Sequence, residues 1–256
     1  MNKIDNPRIL AAKLRNGDYA HAGEEESIDL VLRDIFEILH KDYYYTNKDK
    51  LNILDVGCGL GGTANYIKKI TDYNVYGIDV DKKAINHAKN NYKNLNFYNC
   101  DILEIKNIFH ARYFDIVYMF NAFYAFPHKS SVLKLLSEIT KKNGLLVIFD
   151  YTCKNIDNIK PGLVDFSKLP MQPVMIDEFE NILNGVGWEL VKIINLDQKY
   201  IIWYTNFINK LHIKKDELLR DFTEEAYNEL EHNFLELLNN MHNKNLGGAV
   251  IYARLK

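Results

Sequence analysis

Residues 51–63, LNILDVGCGLGGT, place four glycines, Gly57, Gly59, Gly61 and Gly62, between an apolar run and a segment of helical spacing. Glycine belongs where a chain turns sharply and where a ligand must reach the backbone with no Cβ in the way. A turn of this kind can cradle a dinucleotide pyrophosphate, or the amino-acid end of a different nucleoside cofactor. Asp55, two residues ahead of Gly57, puts negative charge where a pyrophosphate would sit, and it suits a ligand that carries an ammonium group. Asp79 ends the second apolar run, where a carboxylate can accept both hydroxyls of a ribose; NAD enzymes place an acid there too. Asp101 follows the third run, at a spot that would lie beside an adenine and its exocyclic amine. Three acids, each at a strand's carboxyl end, are more specific together than the glycines alone.

Each residue also has a plainer reading. Asp79 and Asp101 can serve as helix caps. Cys58 has no His partner in sequence, so its expected role is structural. The eight His show no HExxH or paired spacing, and no metal site is expected.

The elements that must position these residues follow from periodicity. Short apolar runs at 51–56, 74–78, 96–99, 114–119 and 145–149 alternate with helical stripes at 62–70, 82–91 and 130–140. Strands separated by helices of about ten residues build βαβ units and a parallel sheet. The flanks add an amphipathic helix at 24–39, a helix at 176–186, a strand at 188–196, helices at 199–211 and 216–241, and a last strand at 249–255. The expected fold is α/β and Rossmann-like. It has seven mostly parallel strands with the last one antiparallel, helices on both faces, an N-terminal helix, and a helical insert before the last strand. One domain is expected over 1–256, with a lid and helix in 1–45, a cofactor-binding core in 50–150, and a substrate-side half in 151–256 that contains the insert 199–241.

The runs ILDVGCGLGG, VYGIDVD, NCDILE, FDIVYMFNAFYAF and NGLLVIFD resemble the class I S-adenosylmethionine-dependent methyltransferases over about residues 52–150. Within that superfamily the chain is similar to the small-molecule N-methyltransferases that include the phosphoethanolamine and sarcosine/dimethylglycine enzymes. Tyr19-Ala-His-Ala-Gly23-Glu, Ile148-Phe-Asp150-Tyr and the helical insert carry that finer likeness. The resemblance implies methyl transfer from S-adenosylmethionine to a small soluble acceptor, an amine, with S-adenosylhomocysteine as product. It implies a cofactor site of Tyr19, Asp55, Gly57, Cys58, Gly59, Gly61, Asp79, Val80, Asp101, Ile102, Phe120 and Asn121. Tyr19, His21, Asn121, Tyr124 and His128 are the implied catalytic residues, Tyr19 as a lid; Tyr151 joins them at the pocket mouth, and Trp203 or Tyr204 would line it. In one departure, Ala125 stands in the run 121–126 where many of these enzymes have a His.

Lys+Arg is 32 and Asp+Glu is 34, a net charge of −2, so no basic excess offers a grip on nucleic-acid phosphates. No apolar run approaches the roughly 18 residues of a membrane span. Three unpaired-looking Cys and a polar N-terminus lead to an expectation of a cytoplasmic protein, monomer or homodimer, without membrane or nucleic-acid partner. The alternatives are an NAD(P)-dependent oxidoreductase and a cofactor-binding, non-catalytic partner protein.

Overall fold

The computed structural model describes residues 3–15, 17–41, 50–159 and 171–256. Eight strands form one sheet: β1 (Asn52–Val56), β2 (Asn74–Asp79), β3 (Asn96–Asn99), β4 (Phe114–Phe120), β5 (Thr140–Cys153), β6 (Val174–Met175), β7 (Trp188–Asn195) and β8 (Gly247–Leu255). The order is β3-β2-β1-β4-β5-β8-β7, with β6 beside the end of β5. β1 to β6 are parallel, while β8 runs antiparallel between β5 and β7. The helices are α1 (Pro7–Leu14), α2 (Glu24–Lys41), α3 (Gly62–Ile70), α4 (Lys82–Asn91), α5 (Lys129–Ile139), α6 (Ile176–Gly185), α7 (Asp197–Ile213), α8 (Lys215–Asp221) and α9 (Glu224–His242).

Alternation along the central strands sends side chains to two cores. Ile53, Ile116, Tyr118, Val147, Phe149 and Tyr252 join one, under α1 to α4 and α7 to α9. Leu54, Val56, Val117, Met119, Ile148 and Ile251 join the other, under α5 and α6. Both faces are therefore covered, as strands this apolar require.

The structure departs from the expected elements in four places. β6 is an eighth strand, too short at two residues to show periodicity. β5 begins at Thr140, so residue 140 belongs to a strand and not to the preceding helix; Thr140 pairs with Phe114 ahead of a register shift. α1 was not expected; Asn6 caps it, accepting from Arg8 and Ile9 N–H, with Pro7 at its first position. The long helix expected over 216–241 is two, α8 and α9. Thr223 caps α9 by accepting from Ala226 N–H, and Ile4 bridges to Phe222, with the Ile4 amide donating to Asp221 O at 2.8 Å.

Candidate active site

β1 delivers the glycine turn to the carboxyl edge of the sheet. Gly57, Gly59 and Gly61 all have positive φ, at 77°, 51° and 90°. Gly57 and Cys58 donate their amides to Ile78 O at 2.9 and 3.0 Å, which ties the turn to β2. A Cβ on Gly57 would lie 2.5 Å from Ala122 Cβ, so this glycine is needed for packing against the segment after β4. A Cβ on Gly59 would meet nothing within 4 Å: it would enter an open cavity. Asp79, at the end of β2, accepts from Gly59 N–H on Oδ2 and from Asp81 N–H on Oδ1, both at 2.8 Å.

The cavity above this turn encloses about 190 Å³. One end is lined by Gly57, Gly59, Asp79, Val80, Ile102 and Phe120; the other by Tyr124, Phe126, Tyr151, Met171, Tyr204 and Phe234, with Asn121 and Ala122 between. A larger depression of about 670 Å³ lies between α2 and α3, lined by Leu32, Phe36 and Ile70 among others. It is away from the strand ends and from the glycine turn, so the smaller, deeper cavity is the candidate site.

Seven of the expected cofactor residues line that cavity, Gly57, Gly59, Asp79, Val80, Ile102, Phe120 and Asn121, as does the expected catalytic residue Tyr124 on the acceptor side. The rest take other places. Asp55 is buried beneath the turn, outside the lining, and its Oδ2 has no hydrogen-bond partner, nor has the Tyr118 hydroxyl. Burial pushes the Asp55 carboxyl well up, with the Asp79 charge adding to it. Asp101 is exposed and accepts from Leu103 N–H at 2.9 Å, while Cys100 and Ile102 on either side reach the cavity. Cys58 points behind the turn, its Sγ 2.9 Å from where a Gly77 Cβ would stand, and burial pushes its thiol up. Gly61 packs against Phe97, Ala88 and Tyr92. His128 is exposed just before α5, three residues too far along to point inward.

Tyr19 and His21 sit in a strap, residues 17–23, that crosses the start of α3. The Tyr19 hydroxyl donates to Glu25 Oε1 at 3.0 Å. His21 is buried, with Nε2 2.9 Å from Thr63 Oγ1. Burial pushes His21 down to about 3, with the nearby Arg15 charge adding to the shift, so the ring is neutral. Ala20 is the strap residue at the cavity. Asn121, with φ 45°, accepts from Ala22 N–H at 3.0 Å and donates to the Tyr200 hydroxyl at 3.2 Å. It thus joins the strap, the end of β4 and α7.

Residue-by-residue reading of the sequence missed several contributors. Asp150 is buried; its carboxylate accepts from Phe123, Tyr124 and Tyr151 N–H at 2.6, 3.1 and 2.7 Å. Lys129 donates to Phe123 O and Phe126 O, at 3.2 and 3.1 Å, on the same turn. These two charges fix the cavity wall after β4. Arg8, Met171, Asn233, Phe234 and Leu237 also line the cavity. Tyr204 lines the cavity, whereas Trp203 faces Gly23 and donates Nε1–H to Glu26 Oε2 at 2.8 Å. Among the described residues, no group of three or more His, Cys, Asp or Glu is gathered to hold a metal ion. No helix among them is long and apolar enough to cross a membrane.

A family model described as "Methyltransferase domain" matches residues 47–184, just over half of the chain and including the whole glycine turn. The chain belongs to this methyltransferase-domain family. A sterol 24-C-methyltransferase of Aspergillus fumigatus is 31% identical over 121 residues, 44% of this chain and 32% of that one. The chain spans about a third of the length of the first such curated relatives. A phosphoethanolamine N-methyltransferase of Plasmodium falciparum is 24% identical over 225 residues, 84% of this chain and 78% of that one. Among solved structures, Haemonchus contortus phosphoethanolamine N-methyltransferase 2, bound to phosphomonomethylethanolamine and S-adenosylhomocysteine, superposes with a TM-score of 0.77 at 16% identity. That match covers 97% of this chain and 56% of that one, and it speaks to the fold. These matches agree with the fold expected from the sequence, and nothing in them favours an oxidoreductase.

Proposed function

We propose that this methyltransferase-domain protein transfers a methyl group from S-adenosylmethionine to a small-molecule acceptor and releases S-adenosylhomocysteine. The observation that carries the reading is the pairing of an open glycine cradle at Gly59 with the Asp79 carboxylate on one cavity wall. The donor set fits the cofactor. Gly57 and Gly59 leave room for its amino-acid end, Asp79 has lone pairs left for ribose hydroxyls, and Val80, Cys100 and Ile102 offer apolar contacts for adenine. When bound, the sulfonium supplies the leaving group.

The chain's own contribution is alignment and exclusion of water. Tyr124, Tyr151 and Tyr204 would hold the acceptor at the far end of the cavity, with Ala122 and Asn121 between it and the donor. Alignment alone is worth roughly 7–11 kcal/mol in well-oriented reactions. The Asp150 and Lys129 contacts keep the Tyr124 wall in register. The test is calorimetry with S-adenosylhomocysteine, followed by transfer of a labelled methyl group to a panel of small metabolites. Binding and transfer to a small acceptor are expected. Failure to bind S-adenosylhomocysteine would remove the reading.

A further inference from the structure

The acceptor end of the cavity has its own chemistry, apart from the glycine cradle. Phe126, Met171 and Phe234 make its apolar walls. The Tyr151 and Tyr204 hydroxyls are hydrogen-bonded to each other, and both side chains are buried. Burial pushes the Tyr151 phenol well up and Tyr204 to about 12, so both keep their protons. A pair of neutral phenols that share one O–H still has one O–H to donate and lone pairs to accept. Behind this wall lies Arg15, its side chain 3% exposed. Its guanidinium stacks 4.6 Å from the Phe207 ring centroid and 5.4 Å from that of Phe234, and its Nε is 3.8 Å from Glu24 Oε1.

This arrangement disfavours charge in the chamber. Arg15 behind the wall is paired with Glu24, and Arg8 in the lining is held by Asp81 at 3.1 Å. An ion at the acceptor end would give up its hydration for phenol hydroxyls and apolar walls, with no free opposite charge beside it among the described lining residues. A neutral group on an apolar body escapes that penalty, and its O–H or N–H finds the phenol pair.

We propose that the Tyr151–Tyr204 pair binds the methyl acceptor through an uncharged hydroxyl or weakly basic amino group, so that the acceptor is a phenol, alcohol or aryl amine and not a phosphorylated or zwitterionic amine. The inference rests on the methyltransferase reading above. The pair orients the acceptor, whose X–H donates to a tyrosine oxygen.

Calorimetry on the protein saturated with S-adenosylhomocysteine tests this, with phenol, aniline, phosphoethanolamine and sarcosine as probes. Phenol and aniline should bind at least five-fold more tightly than the other two. Tyr204→Phe and Tyr151→Phe should each weaken phenol by five-fold or more, while S-adenosylhomocysteine affinity stays within two-fold. Circular dichroism melts would confirm that both variants are folded. Preference for phosphoethanolamine or sarcosine overturns the proposal, as does no binding of either neutral probe, or phenol binding unchanged in both variants. Failure of S-adenosylhomocysteine itself to bind would remove the broader reading along with this one.

Discussion

Asp79 accepts one backbone N–H on each carboxylate oxygen, which aims the group and leaves lone pairs for a ligand. Asp79→Ala should weaken S-adenosylhomocysteine at least ten-fold by calorimetry, since a charge-assisted hydrogen bond contributes roughly 1.5–3 kcal/mol. Unchanged affinity would take the ribose role from Asp79. Gly59→Ala probes the cradle differently. The added Cβ meets no protein atom, so the fold should survive with about 1–2 kcal/mol of backbone strain at its positive φ, while ligand affinity collapses. Thermal melts and calorimetry on the same sample separate the two effects. His21 carries a pH prediction. Its folded value is depressed to about 3 from an ordinary 6.5, so the unfolded chain binds the proton first. The stability it confers is full above about pH 6.5 and is lost as pH falls toward 3. Wild-type melting temperature should therefore drop more steeply across that window than in His21→Gln; parallel curves would mean that the ring titrates freely in the native state.

The strap over α3 has pins at three places: His21 to Thr63, Ala22 to Asn121, and Asp18 to His87 and Tyr92. With them in place the cavity holds about 190 Å³, below the roughly 300–1,000 Å³ of ordinary ligand pockets. If this strap is a lid, residues 17–24 move outward to admit a ligand, with Ala20 at the cavity. Hydrogen exchange there should slow on addition of S-adenosylhomocysteine, and equal protection in both states would end the lid role given to Tyr19. The α8–α9 boundary makes a separate prediction. Thr223→Val removes the cap of α9 and should cost about 1 kcal/mol in denaturant melts. A loss near zero would show that the Ile4 bridge alone holds the break. This boundary also shows a limit of periodicity: Leu219, Phe222 and Leu230 read as one stripe, and only the cap and the distant Ile4 divide it.

For the molecule as a whole, the half of the site built on local pattern was legible. Gly57, Gly59 and Asp79 announce themselves because turn geometry and strand ends are written in neighbouring residues. Asp55 and Asp101 look equivalent to Asp79 in sequence. Yet one is covered by the turn and the other turns outward to cap, and that choice depends on rotamer and packing. The acceptor half was legible in part: Tyr124, Tyr151 and Tyr204 were expected at the pocket and line it, while its other contributors were not. Phe234, Met171 and Arg15 come together from α9, the segment before β6 and the end of α1, and no spacing connects them. Topology explains the difference, and it reaches beyond the site. β8 lies between β5 and β7, and Thr152 pairs with Gly247, so about a hundred residues separate partners at the centre of the sheet. During synthesis, β1 to β5 emerge with one flank of β5 still bare, an apolar edge open to wrong neighbours. The sheet cannot close until residues 247–255 leave the ribosome. Loss of those few residues should then resemble exposure of an aggregation-prone ribbon more than the trimming of a tail.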